Sequence, residues 1–206
     1  TGASTARVSG CGTDGVQSAG ALSLTRVEVD TNAGNGVTST GTAQLDACNV
    51  HHNGSTAAGF GLSFSSALPN GTHSLTGSVV HHNFVGGAMV TIGQAGASAT
   101  ISQNTFDSNT ASTGATYELY LTTVAAGTTV TVKDNILTNN RTNGLYRSGT
   151  LGSVSLQNNL IYSAPTASTL TGTTTITCNP LYVATDGSNY RITENSPARD
   201  AGSTGG

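Results

Sequence analysis

Apolar residues in this chain never keep the 3.6-residue spacing of a helix over ten positions or more. They come in short alternating stretches divided by Gly, Asn, Ser and Thr, as in Gly59-Phe60-Gly61-Leu62-Ser63-Phe64, Ala88-Met89-Val90-Thr91-Ile92, Thr129-Val130-Thr131-Val132 and Ser153-Val154-Ser155-Leu156. Such stretches predict strands, not helices. A second pattern is laid over the first: an apolar residue, two mostly polar ones, then Asn. It occurs at Val29-Asp30-Thr31-Asn32, Val50-His51-His52-Asn53, Val80-His81-His82-Asn83, Phe106-Asp107-Ser108-Asn109 and Leu137-Thr138-Asn139-Asn140, with a degenerate copy at Ile161-Tyr162-Ser163-Ala164. The steps between copies are 21, 30, 26, 31 and 24 residues, the length of one turn of a β-solenoid. The pattern predicts an all-β parallel β-helix of about six to seven coils, with about three short strands per coil and little or no α-helix. It also predicts one domain over 1–206: 1–23 irregular or a first coil, 24–164 regular coils, and 165–206 a terminal coil and closing segment.

Two residues before the apolar anchor, Asn104, Asn135 and Asn159 occupy one column, preceded by Cys48 and Ser78. Asn tolerates the left-handed backbone of a sharp bend, and amides stacked about 4.8 Å apart bond along the axis, so an internal ladder is expected there. In this the sequence resembles the right-handed parallel β-helix superfamily, whose pectate-lyase-like members carry such ladders. The resemblance covers roughly residues 24–164 and implies a single-stranded, right-handed coil. A second resemblance lies in Cys178-Asn179-Pro180-Leu181-Tyr182-Val183, Tyr190-Arg191-Ile192 and Ser196-Pro197-Ala198-Arg199-Asp200-Ala201-Gly202. This looks like the "DPLF…YRL…SPAIDAG" closing segment of many secreted bacterial β-helix proteins, with Cys178-Asn179 in place of the usual acidic residue. It implies an extracellular or cell-surface setting, and a truncation or processing point at Gly206.

Composition fits that setting. Charged residues make up only 8% of the chain, about a third of the usual share, and polarity is carried by Thr, Ser, Asn and 27 Gly. A net charge of −3 with a single lysine, Lys133, speaks against nucleic acid and anionic membrane surfaces as partners. No apolar run approaches 18 residues, so no membrane insertion is expected. The absence of an opening signal peptide predicts mature or excised material. Cys11, Cys48 and Cys178 have no metal-ligand spacing; a Cys11–Cys48 bridge between neighbouring coils is a candidate, and Cys48 otherwise reads as a small interior residue. Sequons stand at Asn53, Asn70 and Asn140.

The histidines make the sharpest local constellation. After the apolar anchor one column reads Asp30, His51, His81, Asp107 and the next Thr31, His52, His82, Ser108. His51 and His81, flanked by Asp30 and Asp107, are candidate ligands for a divalent metal, the one cofactor the sequence raises. Against this, the same residues also read as polar strand-closing positions, and successive strand side chains point to opposite faces.

For catalysis, the pectate-lyase resemblance implies clustered acids and bases on one sheet. On the predicted binding strand only Glu118 and Arg147 look chemical; they are the candidate catalytic pair, flanked by Tyr117, Tyr120 and Tyr146 as a candidate sugar-binding platform. The competing reading is an exposed cross-coil ion pair. Glycoside hydrolysis needs two nearby carboxylates, and Glu28 with Asp46 is the nearest approach to such a pair. A β-helix also has open ends, and the Gly/Ser/Thr-rich opening without an amphipathic cap predicts a removed cap or a docking end. The sequence therefore reads as a secreted or surface-displayed structural or adhesive module that self-associates or adjoins further domains and contacts polysaccharide. A lyase or hydrolase on the same fold is the alternative.

Overall fold

Three short strands and two sharp bends make up each coil. The computed structural model describes residues 6–55, 59–66, 68–110, 116–140, 142–149, 152–162, 175–184 and 189–202. The end of the degenerate repeat at Ser163-Ala164, residues 186–188 of the closing segment and both chain termini lie outside them. The first sheet stacks Ala6–Ser9, Val27–Asp30, Asn49–His51, Val79–His81, Thr105–Asp107, Ile136–Thr138 and Leu160–Tyr162. The second stacks six strands, Val16–Ser18 to Asn143–Arg147, and the third another six, Ala21–Thr25 to Ser153–Gln157. All these pairings are parallel between successive coils, and no described residue is helical, so the chain is a parallel β-helix. The described residues hold six full coils and the first strand of a seventh, and Ile176 pairs in parallel with Leu160 beyond it.

The repeated apolar anchor is the centre of the first sheet's inner face. Val29, Val50, Val80, Phe106 and Leu137 stack in register, each 0% exposed. Val37, Leu62, Ala88, Leu119 and Leu145 stack likewise on the second sheet, none more than 1% exposed. Each fully buried Val, Leu or Phe contributes about 1.5–3 kcal/mol, and identical register from coil to coil joins them into one continuous core.

The bends are left-handed at a single residue, and that residue is the one before the ladder residue rather than the ladder Asn itself. Between the third and first sheets the positive-φ positions are Arg26, Ala47, Gly77, Gln103, Asp134 and Asn158; between the first and second they are Thr31, His52, His82, Ser108 and Asn139. In both cases the following residue is turned inward. At the first bend the inward residues bond upward in sequence order: Cys48 N–H to Ser78 Oγ, Ser78 N–H to Asn104 Oδ1, and Asn104 and Asn135 each through N–H and Nδ2 to the next Asn, ending at Asn159. At the second bend the Asn of the repeat makes a further ladder, in which Asn32, Asn53 and Asn83 each donate through N–H and Nδ2 to the Oδ1 of the next, reaching Asn109. Sequons at Asn53 and Asn140 are thus interior, 0% and 2% exposed, whereas Asn70 is exposed.

Glycine recurs beside this second ladder for a steric reason. A Cβ at Gly15, Gly36 or Gly61 would lie 2.5–2.8 Å from the Nδ2 of Asn32, Asn53 or Asn83. The amide occupies the space a side chain needs.

One interior position departs from apolar stacking. His73 lies between Ala43 and Ala99 in register, 3% exposed, with its ring 5.3 Å from that of Phe64 and parallel to within 3°. Its two ring nitrogens have no hydrogen-bond partner among the described residues, and burial pushes its pKa down to about 4.

Two outcomes follow for stability. Asn83→Ala removes the acceptor for Asn53 N–H and Nδ2 and the donor to Val50 O, costing about 3 kcal/mol or more, whereas Asn32→Ala at the edge of the ladder costs less. Thermal unfolding of both variants checks this, and equal losses would contradict it. Because His73 titrates near 6.5 unfolded but near 4 folded, the stability it leaves intact is present above pH 6.5 and is lost as pH falls through about 4, by about 3 kcal/mol. His73→Leu should therefore weaken the acid-side loss in a plot of denaturation midpoint against pH.

Candidate functional site

The outer face of the first sheet carries the polar residues of the repeat. Asp30, His51, His81, Asp107 and Thr138 align in that order, one per coil. The alternation of strand side chains does not separate the next column from them, because Thr31, His52, His82 and Ser108 have φ between 54° and 56°. A left-handed residue swings its side chain back beside its predecessor. Thr31 accordingly donates to Asp30 at 2.6 Å, and Asn139, also left-handed, donates to Asp107 at 2.7 Å.

Four imidazoles meet here as a result. His51 lies over His81 with ring centroids 4.8 Å apart and planes 17° from parallel; His52 lies over His82 at 5.3 Å and 9°. Within each coil the rings are perpendicular, and Nδ1 faces Nδ1 at 2.9 Å in both His51–His52 and His81–His82. Glu28 Oε1 sits 3.1 Å from His51 Nε2. Burial, reinforced by the neighbouring rings, pushes His81 down to about 3, and burial lowers His52 as well, so both are neutral at neutral pH.

The two acids of the predicted metal column are already engaged. Asp30 accepts two 2.6 Å bonds from the Arg7 guanidinium and a further one from Ser9, and the Arg7 contact holds its carboxyl well below the usual range. Glu28, Asp30 and His51 do bring donor atoms within 4.8 Å of one another, yet Arg7 fills the charge position between the two acids, 3.9 Å from Glu28. Asp107 accepts from Thr138, Asn139 and the Tyr190 hydroxyl. Both acids are thus hydrogen-bonded within the chain, and His52 and His82 stand beside His51 and His81 on the same face.

Tyr190 belongs to the closing segment. Strands Tyr182–Ala184 and Asn189–Ile192 form an antiparallel pair, whose Tyr182 bonds Thr138 and whose Tyr190 ring lies 5.1 Å from that of His81, tilted by 52°. The segment thus covers the outer face of the first sheet around His81, Asp107 and Thr138. Beneath it runs a groove of about 340 Å³ lined by Asn49, Val79, His81, Thr105, Asn189, Tyr190 and Arg191.

The second sheet's outer face holds the tyrosines. Tyr117 and Tyr120 have ring centroids 4.7 Å apart, Tyr117 and Tyr146 4.8 Å, and Tyr120 and Tyr146 5.5 Å, with Met89 in line with Tyr120 one coil away. All three rings remain partly exposed.

Glu118 is not on that face. It is 0% exposed and enters the Asn ladder between two rungs: Asn109 donates to it through N–H and Nδ2, and Asn140 Nδ2 donates at 3.2 Å from the other side. Donors thus converge on the two carboxyl oxygens of Glu118 from both directions along the ladder. Arg147 aligns with Leu121 rather than with Glu118, so the predicted exposed ion pair does not form. The sequence contains the signal: every described second-sheet strand from the second coil to the sixth has Gly before its first inward apolar residue, as in Gly36-Val37, Gly61-Leu62, Gly87-Ala88 and Gly144-Leu145, except Glu118-Leu119.

Two further pairings also fail on geometry. Cys11 begins the second-bend ladder, its N–H bonded to Asn32, while Cys48 belongs to the first-bend ladder; the short strand, about 10 Å of chain, separates those columns, and all three cysteines are free. Glu28 and Asp46 lie on different sheets.

Burial lifts Glu118 to about 8, against the opposing bonds from Asn109 and Asn140. A raised carboxyl contributes stability that is full below pH 4.5 and lost as pH rises through about 8. Glu118→Gln should lower the melting temperature at pH 6 yet remove most of the alkaline decline, read by thermal unfolding from pH 6 to 9. No family model, no curated protein and no solved structure matches this chain.

Proposed function

We propose that this chain is a rigid rod of an extracellular or surface-displayed structural module, held against polysaccharide through its tyrosine face. The cluster of Tyr117, Tyr120 and Tyr146 carries this reading: three partly exposed rings within 5.5 Å of one another, on a sheet whose neighbouring outward residues are Thr38, Ser63 and Met89. Aromatic faces stack on the C–H faces of sugar rings, and the Tyr120 hydroxyl, 2.7 Å from Ser148 Oγ, supplies a polar partner beside them. The low charge, the Thr/Ser/Asn surface and the resemblance of the closing segment to secreted β-helix proteins support the extracellular setting, and kinship with the pectate-lyase-like superfamily belongs to the same proposal. The reading as a carbohydrate-active enzyme has less behind it, since Glu118 is a buried rung and Asp30 and Asp107 are fully bonded.

Affinity electrophoresis across a panel of neutral and acidic polysaccharides tests it. Retardation by at least one polymer is expected, weakened about fivefold to tenfold by Tyr146→Ala or Tyr120→Ala, the loss of one stacking contact. Unretarded wild-type protein across the panel would sink the reading. Release of reducing or unsaturated sugars would replace it with the enzymatic one.

A further inference from the structure

The histidine box is not used by the tyrosine face and lies on a different sheet. Its two rungs share one geometry: adjacent residues, perpendicular rings, Nδ1 facing Nδ1 at 2.9 Å. Two imidazole lone pairs cannot approach that closely with nothing between them, so each gap holds either a shared proton or a cation. Glu28 orients the first rung. By accepting from His51 Nε2–H it fixes the tautomer in which Nδ1 carries the lone pair, the arrangement in which a carboxylate orients a metal-bound histidine. His52 then needs only to move its proton from Nδ1 to Nε2 for both nitrogens to face a cation, with no net proton released.

We propose that the His51–His52 and His81–His82 rungs are two-nitrogen chelates for transition-metal ions, one ion per rung, with Cu(II) or Ni(II) preferred over Zn(II). The spacing supplies the preference. With metal–nitrogen bonds of about 2.0–2.1 Å, a tetrahedral angle places the two nitrogens about 3.3 Å apart and a right angle about 2.9 Å. The observed 2.9 Å matches the right angle of a tetragonal ion. Stacked centroids of 4.8 and 5.3 Å set the rungs too far apart for all four nitrogens to reach one ion, hence two sites in series. The left-handed backbone at His52 and His82 is what creates the chelate, because an extended backbone would send the second ring to the opposite face.

The probe is the metal alone. Isothermal titration of the intact chain with Ni(II) and with Cu(II) should give two ions bound per chain at micromolar concentration. Cu(II) electron paramagnetic resonance should show nitrogen coupling from two imidazoles per copper. His52→Asn, which keeps a residue tolerant of the left-handed bend, should halve the stoichiometry. The His52→Asn/His82→Asn double variant should abolish binding while melting at the wild-type temperature in chelator. Absence of binding, binding untouched by the double variant, or loss of both ions with His52→Asn alone would each overturn the assignment.

Discussion

A buried amide that has to be hydrogen-bonded on every side, repeated once per coil, is the constraint on which this rod depends. The three-residue strand of the first sheet is too short to be fixed by its own ladder bonds, and at both its ends the backbone turns through a left-handed residue, a conformation that costs a non-glycine about 1–2 kcal/mol. The inward residue after each turn offsets that cost by bonding the backbone of the coil before and the side chain of the coil after, as Asn53 does with Val29 O and Asn83 Oδ1. Glycine beside the second ladder and the unbroken register of the apolar column both follow from making room for that amide. So does Glu118, which belongs where the direction of donation reverses.

Much of this was written in the chain, though not all of it in the same way. The apolar-x-x-Asn repeat announces the coils because its apolar member must return to the axis once per turn. What the repeat does not reveal is which way its Asn faces. Thr31 and Ser108 have no marked preference for the left-handed region, and the enrichment of His there is too modest to fix a bend, so the Asn after each reads equally well as an exposed strand end. The same blind spot placed His52 and His82 opposite His51 and His81, and made Asp30 and Asp107 look free when Arg7 and Tyr190 reach them from 23 and 83 residues away. Glu118 is hard to read for a different reason: beside Arg147 one coil on, a carboxylate on a strand looks chemical, and only its place in a column of recurrent glycines marks it as internal.

The outer surfaces divide the work by sheet. Histidines and the antiparallel pair that packs over them occupy the first, with a groove along their edge; tyrosines occupy the second; the third is a field of Thr and Ser that includes Thr72, Ser98, Thr129 and Ser153 in one column. Because all three share one interior, a change in core volume at Phe106 or Leu119 is transmitted to every face, whereas exposed substitutions on one face leave the others in place.

The ladder also has a direction. At every Asn rung from Asn32 to Asn83, and from Asn104 to Asn135, the backbone N–H and one amide proton are completed by the coil that follows in sequence, not by the one before. A chain emerging from its N-terminus therefore presents, at each stage of growth, a pair of unmet donors aimed at the segment about to arrive. Each coil thus makes part of the docking site for its successor, and the two faces of a coil are chemically distinct, one offering amide donors and the other acceptors.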